Sequence, residues 1–295
     1  MTPEYAVVLQ GSSALCREYS LMLEARGIEH ELQPADAQWQ LTVASALTAR
    51  AEEEIRRYAA ERRMVRAPIA RFEPFAVGWV GAATFVVVLL MVAYAAGLQM
   101  FGTDWFSVGA LRAGAAHSQW WRAITAVTLH VDPLHLFSNV FAGLVVGAAA
   151  SQLLGPGIAW SAALACASAG NYVEMWVAPP AHQAVGASSL VFAALGLVTG
   201  LAWSHRLGLR EARWYRWAPL IVGACMLALF GAGGERVDVL GHLLGFLFGT
   251  VGGALLAWAR IPRDRANRTQ WLCGGAAVFS IGCAWILALN SSPSP

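Results

Sequence analysis

Charge is what this chain lacks most. Of its 295 residues only 13% are Asp, Glu, Lys or Arg, against about 25% in a soluble globular domain. Lysine is absent altogether, so all twenty basic side chains are arginine. The formal net charge of +2 leaves no basic field of the kind that binds nucleic acid. Cysteine is sparse: Cys16, Cys166, Cys225, Cys273 and Cys283 form no CxxC pair, and four of them fall in apolar runs. Small buried thiols are therefore expected, rather than redox centres or metal ligands. No HExxH occurs, which removes the zinc-protease pattern. No apolar leader opens the chain either. The first long apolar stretch begins near Phe75, so no secretory signal is expected.

Apolar residues take the place of charge, at 57% of the chain with a mean hydropathy of +0.52. They are gathered into seven segments near 75–98, 133–153, 157–178, 186–204, 217–234, 239–259 and 270–290. Each is about as long as a helix needs to cross a bilayer. Arginines divide the connections between two sides. Arg56, Arg57, Arg62, Arg63, Arg66 and Arg71 precede the first segment. Arg206, Arg210, Arg213 and Arg216 follow the fourth, and Arg260, Arg263, Arg265 and Arg268 follow the sixth. The opposite side holds only Arg112, Arg122 and Arg236. The positive-inside bias thus predicts a cytoplasmic amino terminus and an external carboxy terminus, in a cell inner (plasma) membrane.

Residues 1–72 have a different pattern. EYAVVLQ reads as a strand, SSALCREYSLMLEARG as a helix closed by Gly27, and IEHELQ and WQLTVA as further strands. A charged amphipathic helix, ASALTARAEEEIRRYAAERR, follows. This is a small α/β unit near the lower size limit for an independent core, and it shows no chemistry; Cys16 is expected to be inert. Between the first two apolar segments, residues 99–132 contain the cluster QWWR. An interfacial loop anchored by Trp120 and Trp121 is expected there.

Even-numbered segments start on the outer side, so the residues that open them share one depth. The second opens with DPLHLFSN, where Asp132 suits an N-cap and Pro133 the first helical position. His135 and Asn139 then stand four apart on one face. The fourth opens with VGASSLVF and the sixth with DVLGHLLG, which place Ser188 and His242 in first turns. Each alone has a structural explanation, as a packing serine, interhelical glue or a buried histidine. Together at one depth they mark a functional site, because polar groups inside a membrane are rare and costly. Gly245, Gly249 and Gly253 recur every four residues after His242. Such a ridge admits a close neighbouring helix. An aspartic intramembrane protease needs two acids within spans, and Glu174 is the one acid well inside any.

These motifs resemble those of the rhomboid family of intramembrane serine proteases. Gly186-Ala187-Ser188-Ser189, followed by LVFAALG, is similar to the family's GxSG element. HLFSN carries its HxxxN pattern, with His130 five residues before His135. GHLLGFLFG around His242 is similar to AHxxGxxxG, Trp121-Arg122 to its first-loop signature, and Gly170-Asn171 also fits. The departure is Ser189 where glycine is usual. The resemblance covers about 75–260 and implies an all-α polytopic bundle of the bacterial six-plus-one span type. A six-helix core over 73–260 would be preceded by the α/β cytosolic domain 1–72 and followed by a basic loop and extra transmembrane helix over 261–295. It further implies an intramembrane serine endopeptidase with Ser188 as nucleophile and His242 as general base, and no acidic third member. His135, Asn139 and the Ser188 backbone N–H would form the oxyanion hole, Phe192 would stack on the catalytic imidazole, and His130, Gly186, Gly245, Trp121 and Arg122 would support the site. Neither a cofactor nor a metal is expected, the partners being transmembrane protein substrates and the lipid bilayer. The alternative within the family is a catalytically inactive membrane chaperone or binding protein.

Overall fold

The computed structural model describes residues 5–35, 38–65, 78–207, 213–231, 237–259 and 267–291. The linker with Arg66 and Arg71, the arginine loops at 208–212 and 260–266, and the glycine-rich stretch 232–236 lie outside these residues. The chain forms two compact units, Met1–Arg71 and Phe72–Pro295.

The first unit runs β1 (Tyr5–Gly11), α1 (Ser13–Ala25), β2 (Glu31–Ala35), β3 (Gln38–Ala44) and α2 (Thr48–Val65). Ser12 caps α1 by accepting the Leu15 N–H at 3.3 Å. Gly27 leaves the helix at φ +64°, a conformation that favours glycine. The strands pair antiparallel in the order β1-β3-β2. Cys16, Leu23, Ile28, Leu41, Val43 and Ala51 make its core.

The second unit is helical. Its long helices are α3 (Gly78–Gly97), α6 (Pro133–Leu154), α7 (Pro156–Val177), α8 (Ser188–Leu207), α9 (Arg213–Gly231), α10 (Val239–Trp258) and α11 (Asn267–Asn290). Between α3 and α6 lie α4 (Trp105–Gly109), β4 (Leu111–Arg112) and α5 (Arg122–Thr125), and β5 (Gln183–Ala184) precedes α8. The long helices fall on the seven apolar segments. Among the described residues five helices, α3, α6, α8, α10 and α11, are long and apolar enough to cross a membrane. The apolar stretch of α9, Tyr215–Gly231, is shorter, and α7 is as long but carries Ser161, Ser168, Asn171 and Glu174. Leu134, Phe137, Phe141 and Val145 recur along one exposed face of α6, as a lipid-facing stripe requires.

Helix α8 is central: 61% of its apolar window is buried, against 22% for α3 and 17% for α11. The glycine ridge of α10 explains how it is enclosed. A Cβ at Gly245, Gly249 or Gly253 would strike the backbone carbonyl of Ser189, Ala193 or Leu197 in turn. Gly196 and Gly200 of α8 face the backbone of α10 in the same way. Without an aqueous driving force between helices, such close backbone contact is what dispersion and Cα–H···O interactions can use. Helix α11 is fastened near both ends. The Gln270 amide donates to Leu154 O at 3.1 Å and accepts the Ile158 N–H at 3.0 Å, while the Trp285 indole donates to Thr128 Oγ1 at 3.0 Å.

Two expectations need correction. Trp120 is exposed as expected, but Trp121 turns inward to pack with Trp105, Leu129 and Trp285. The short α4 and α5 segments create an inner surface that a free interfacial loop lacks. Of the cysteines only Cys16 is buried, and Cys225 is exposed on α9. Apolar sequence surroundings do not imply protein burial where helices face lipid.

Candidate functional site

The site begins at the first turn of α6. Asp132 accepts the His135 N–H at 2.7 Å, and Pro133 occupies the first turn, where its missing N–H is harmless. His135 and Asn139 follow on one face. The buried Asn139 donates one amide hydrogen to His135 O at 3.0 Å. An amide has two such hydrogens, so a second donor remains. His130, just before the helix, lies with its ring 5.1 Å from that of His135. Its Nε2 accepts the Ala187 N–H at 3.2 Å. An N–H pointing at Nε2 requires a lone pair there, so His130 is neutral with its proton on Nδ1. Burial first, and the His135 imidazole second, push its pKa down to about 4.

Residues 186–188 lead into α8. Gly186 has φ +134° and donates its N–H to Ala126 O at 2.9 Å. A Cβ on Gly186 would lie 2.8 Å from Cε1 and Nε2 of His135 and 3.6 Å from Ser188 Oγ. The His135 ring and the Ser188 hydroxyl therefore flank the same small space, which only glycine leaves open. Ser188 begins α8, where the first-turn amides have no intrahelical partner and the helix dipole favours negative charge. Ser189 is buried one residue further, with its carbonyl against Gly245.

His242 comes from α10, where Asp238 caps the helix by accepting the Gly241 N–H at 2.9 Å. The buried His242 ring lies against Phe192, centroids 4.6 Å apart and planes at 37°. Its Nδ1 is 2.9 Å from Gly231 O, at the end of α9. A carbonyl only accepts, so Nδ1 carries the proton and the Nε2 lone pair is left available. Among the described residues, no carboxylate hydrogen-bonds to this ring, and no hydrogen bond joins it to Ser188 in this resting arrangement. The Gly231 carbonyl has no signature in the sequence, because α9 must end beside α10 for it to matter.

Arg122 acts from a distance. Buried behind the site, it donates from Nε to Gln119 Oε1 at 2.6 Å, from Nη1 to Ala110 O at 2.6 Å and from Nη2 to Ser107 O at 2.8 Å. Burial, with Arg112 nearby, lowers its pKa to about 10, so it stays charged at neutral pH. These bonds brace the segment that ends at Ala126, whose carbonyl holds Gly186. An apolar cavity of about 530 Å³ lies apart, lined by Phe85, Trp160, Leu164, Trp271 and others, and includes none of His130, His135, Asn139, Ser188 and His242.

Long apolar helices, with serine, histidine and asparagine side chains brought close together between them, define a multi-pass membrane protein. Residues 117–259, just under half of the chain, match the model of the Rhomboid domain, and this stretch belongs to the rhomboid family. The matched range contains every site residue named above. The chain is similar to the rhomboid protease GluP of Bacillus subtilis (strain 168), 30% identical over 142 residues, or 48% of this chain. That stretch covers 27% of the relative's length.

Proposed function

We propose that this protein is an intramembrane serine endopeptidase that hydrolyses peptide bonds in or near transmembrane helices of other membrane proteins. The observation that carries this reading is the His242 ring held between Phe192 and Gly231 O, one helical turn along α8 from Ser188. Ser188 Oγ attacks the scissile carbonyl carbon while its proton passes to His242 Nε2. The imidazolium so formed is stabilised by its Nδ1–H bond to Gly231 O, in place of a carboxylate. The oxyanion is met by Asn139, His135 and the Ser188 N–H, each donor worth about 3 to 4 kcal/mol when lost. His242 returns the proton to the leaving amine as the C–N bond breaks. Water then attacks the acyl-serine, giving its proton to the same Nε2, and Ser188 regains a hydrogen on release.

Arginine placement supports an external site, with the amino terminus and domain 1–72 in the cytoplasm of an inner-membrane protein and the carboxy terminus outside. Water enters from the near surface. A substrate helix has its amides internally bonded, so helices weakened by Gly, Ala or Pro near their outer ends are the expected substrates. The test is fluorophosphonate labelling, together with cleavage of a single-span reporter, in the wild type and in Ser188→Ala, His242→Ala and Ser189→Ala. Labelling and cleavage are expected to disappear in the first two and persist in the third. Loss in Ser189→Ala alone moves the nucleophile by one position. A folded wild type that neither labels nor cleaves any of a panel of reporters supports the inactive binding protein instead.

A further inference from the structure

Three ionisable side chains outside the catalytic set meet beside the start of α10. Glu174 comes from the last turn of α7, His182 from the loop ahead of β5, and Asp238 from the α10 cap. One ligand atom from each lies within 4.8 Å of the other two. His182 Nε2 is 2.6 Å from Glu174 Oε1 and 3.8 Å from Asp238 Oδ1. Glu174 is fully buried, yet its Oε2 has no hydrogen-bond partner. That oxygen faces Gly241: a Cβ there would stand 2.8 Å from Glu174 Oε2 and collide with Asp238 Oδ2. Two carboxylates and an imidazole thus border a space left open by a glycine. A buried carboxylate oxygen left without a donor or cation is costly to maintain.

We propose that Glu174, His182 and Asp238 form a binding site for a divalent transition metal of the zinc class. An imidazole nitrogen with two carboxylate oxygens is a zinc donor set and a poor calcium one. Zinc bonds of about 2.0–2.2 Å in tetrahedral geometry set ligand atoms about 3.4 Å apart, and the 2.6 and 3.8 Å separations bracket that value. His182 is held in place by its backbone, whose carbonyl accepts the Ala113 N–H at 3.1 Å and whose N–H donates to Pro179 O at 2.8 Å. Its side chain is 25% exposed and that of Asp238 20%, which gives an ion a way in and a water the fourth position. A bound ion ties α7, and the loop before Ser188, to the turn of α10 that precedes His242. Metal binding does not depend on the proteolytic reading.

The test uses the full chain in detergent, with affinity tag removed and metals stripped by chelation. Zn²⁺ is titrated by calorimetry and Co²⁺ by its visible absorption, in the wild type, Ser188→Ala, His182→Ala, Asp238→Asn and Glu174→Gln. Asparagine preserves the helix cap, so Asp238→Asn and the partly exposed His182→Ala remain informative if Glu174→Gln fails to fold. The wild type and Ser188→Ala are expected to bind one tight ion with tetrahedral Co²⁺ bands and to melt at a higher temperature with Zn²⁺. His182→Ala and Asp238→Asn are expected to bind at least about 10-fold more weakly and to lose the bands. Equal Zn²⁺ affinity in the wild type and His182→Ala, or no binding in the wild type, overturns the site; the two carboxyl groups then share a proton instead.

Discussion

The imidazole of His242 rests on the ring of Phe192, 4.6 Å between centroids, while its Nδ1 faces Gly231 O at 2.9 Å. One contact fixes the plane of the ring and the other fixes its tautomer. Together they do for this histidine what a buried aspartate does in a soluble serine protease. In the proposed mechanism this orients the base without a carboxylate partner.

If stacking orients the base, replacing Phe192 by Leu lowers turnover on a transmembrane reporter by about 3- to 10-fold. Aromatic pairs contribute roughly 0.5–1.5 kcal/mol beyond area burial, which sets that range. Phe192→Tyr keeps the ring face and is expected to retain most activity. Equal rates in Phe192→Leu and the wild type would remove the stack from the mechanism.

Asn139 has one amide hydrogen committed to His135 O and a second free. In the proposed mechanism the free donor serves the oxyanion. Asn139→Ala is therefore expected to lower kcat by about 100-fold with little change in KM, since the bond forms mainly in the transition state. A rise in KM at constant kcat assigns Asn139 to substrate binding instead.

Much of the helical frame was legible in the sequence because it rests on local rules. Apolar runs, Asp132 with Pro133, and Asp238 ahead of a first turn are local features; a helix falls on each run, and both caps form, though among the described residues only five of the helices are long and apolar enough to span. The glycine ridge was legible too, since its period of four names a helix face before the neighbour is known. Features that depend on distant segments were not. Leu111–Arg112 pairs with Gln183–Ala184 across some seventy residues. Trp121 is drawn inward by Trp285, and Gly231 reaches His242 only because α9 ends there. Glu174 stood out as a lone intramembrane acid, but His182 and Asp238 join it only through the packing of α7 and α10.

Gly186 combines a left-handed backbone with a close approach to His135. Alanine there meets both obstacles at once. A non-glycine residue in such a conformation costs of order 1–3 kcal/mol, and the added methyl group pushes the His135 ring away from Ser188. Gly186→Ala is expected to insert and fold with a lower Tm, and to lose cleavage by 10-fold or more. Full activity with a normal Tm would mean that the loop ahead of α8 is free to rearrange.

His130 links pH to the position of the loop ahead of Ser188. Its Nε2 accepts the Ala187 N–H, one residue before Ser188, and burial holds its pKa near 4 rather than the ordinary 6.5. A histidine with a depressed pKa favours the folded state while neutral. Its contribution is complete above pH 6.5, because both states are then unprotonated. As pH falls below 6.5 the unfolded chain takes up the proton first, and the contribution drains away until the folded site is protonated near pH 4. A gap of this size corresponds to roughly 3 kcal/mol. Below it, a proton on Nε2 opposes the Ala187 N–H and breaks the bond. Gln in place of His130 presents an amide oxygen to the same N–H and cannot titrate. Thermal unfolding of both proteins between pH 7 and pH 4 is expected to show the wild type losing distinctly more stability than His130→Gln. Parallel curves would mean that His130 takes up its proton at the same pH folded and unfolded, and would sever the connection between this ring and the Ser188 loop.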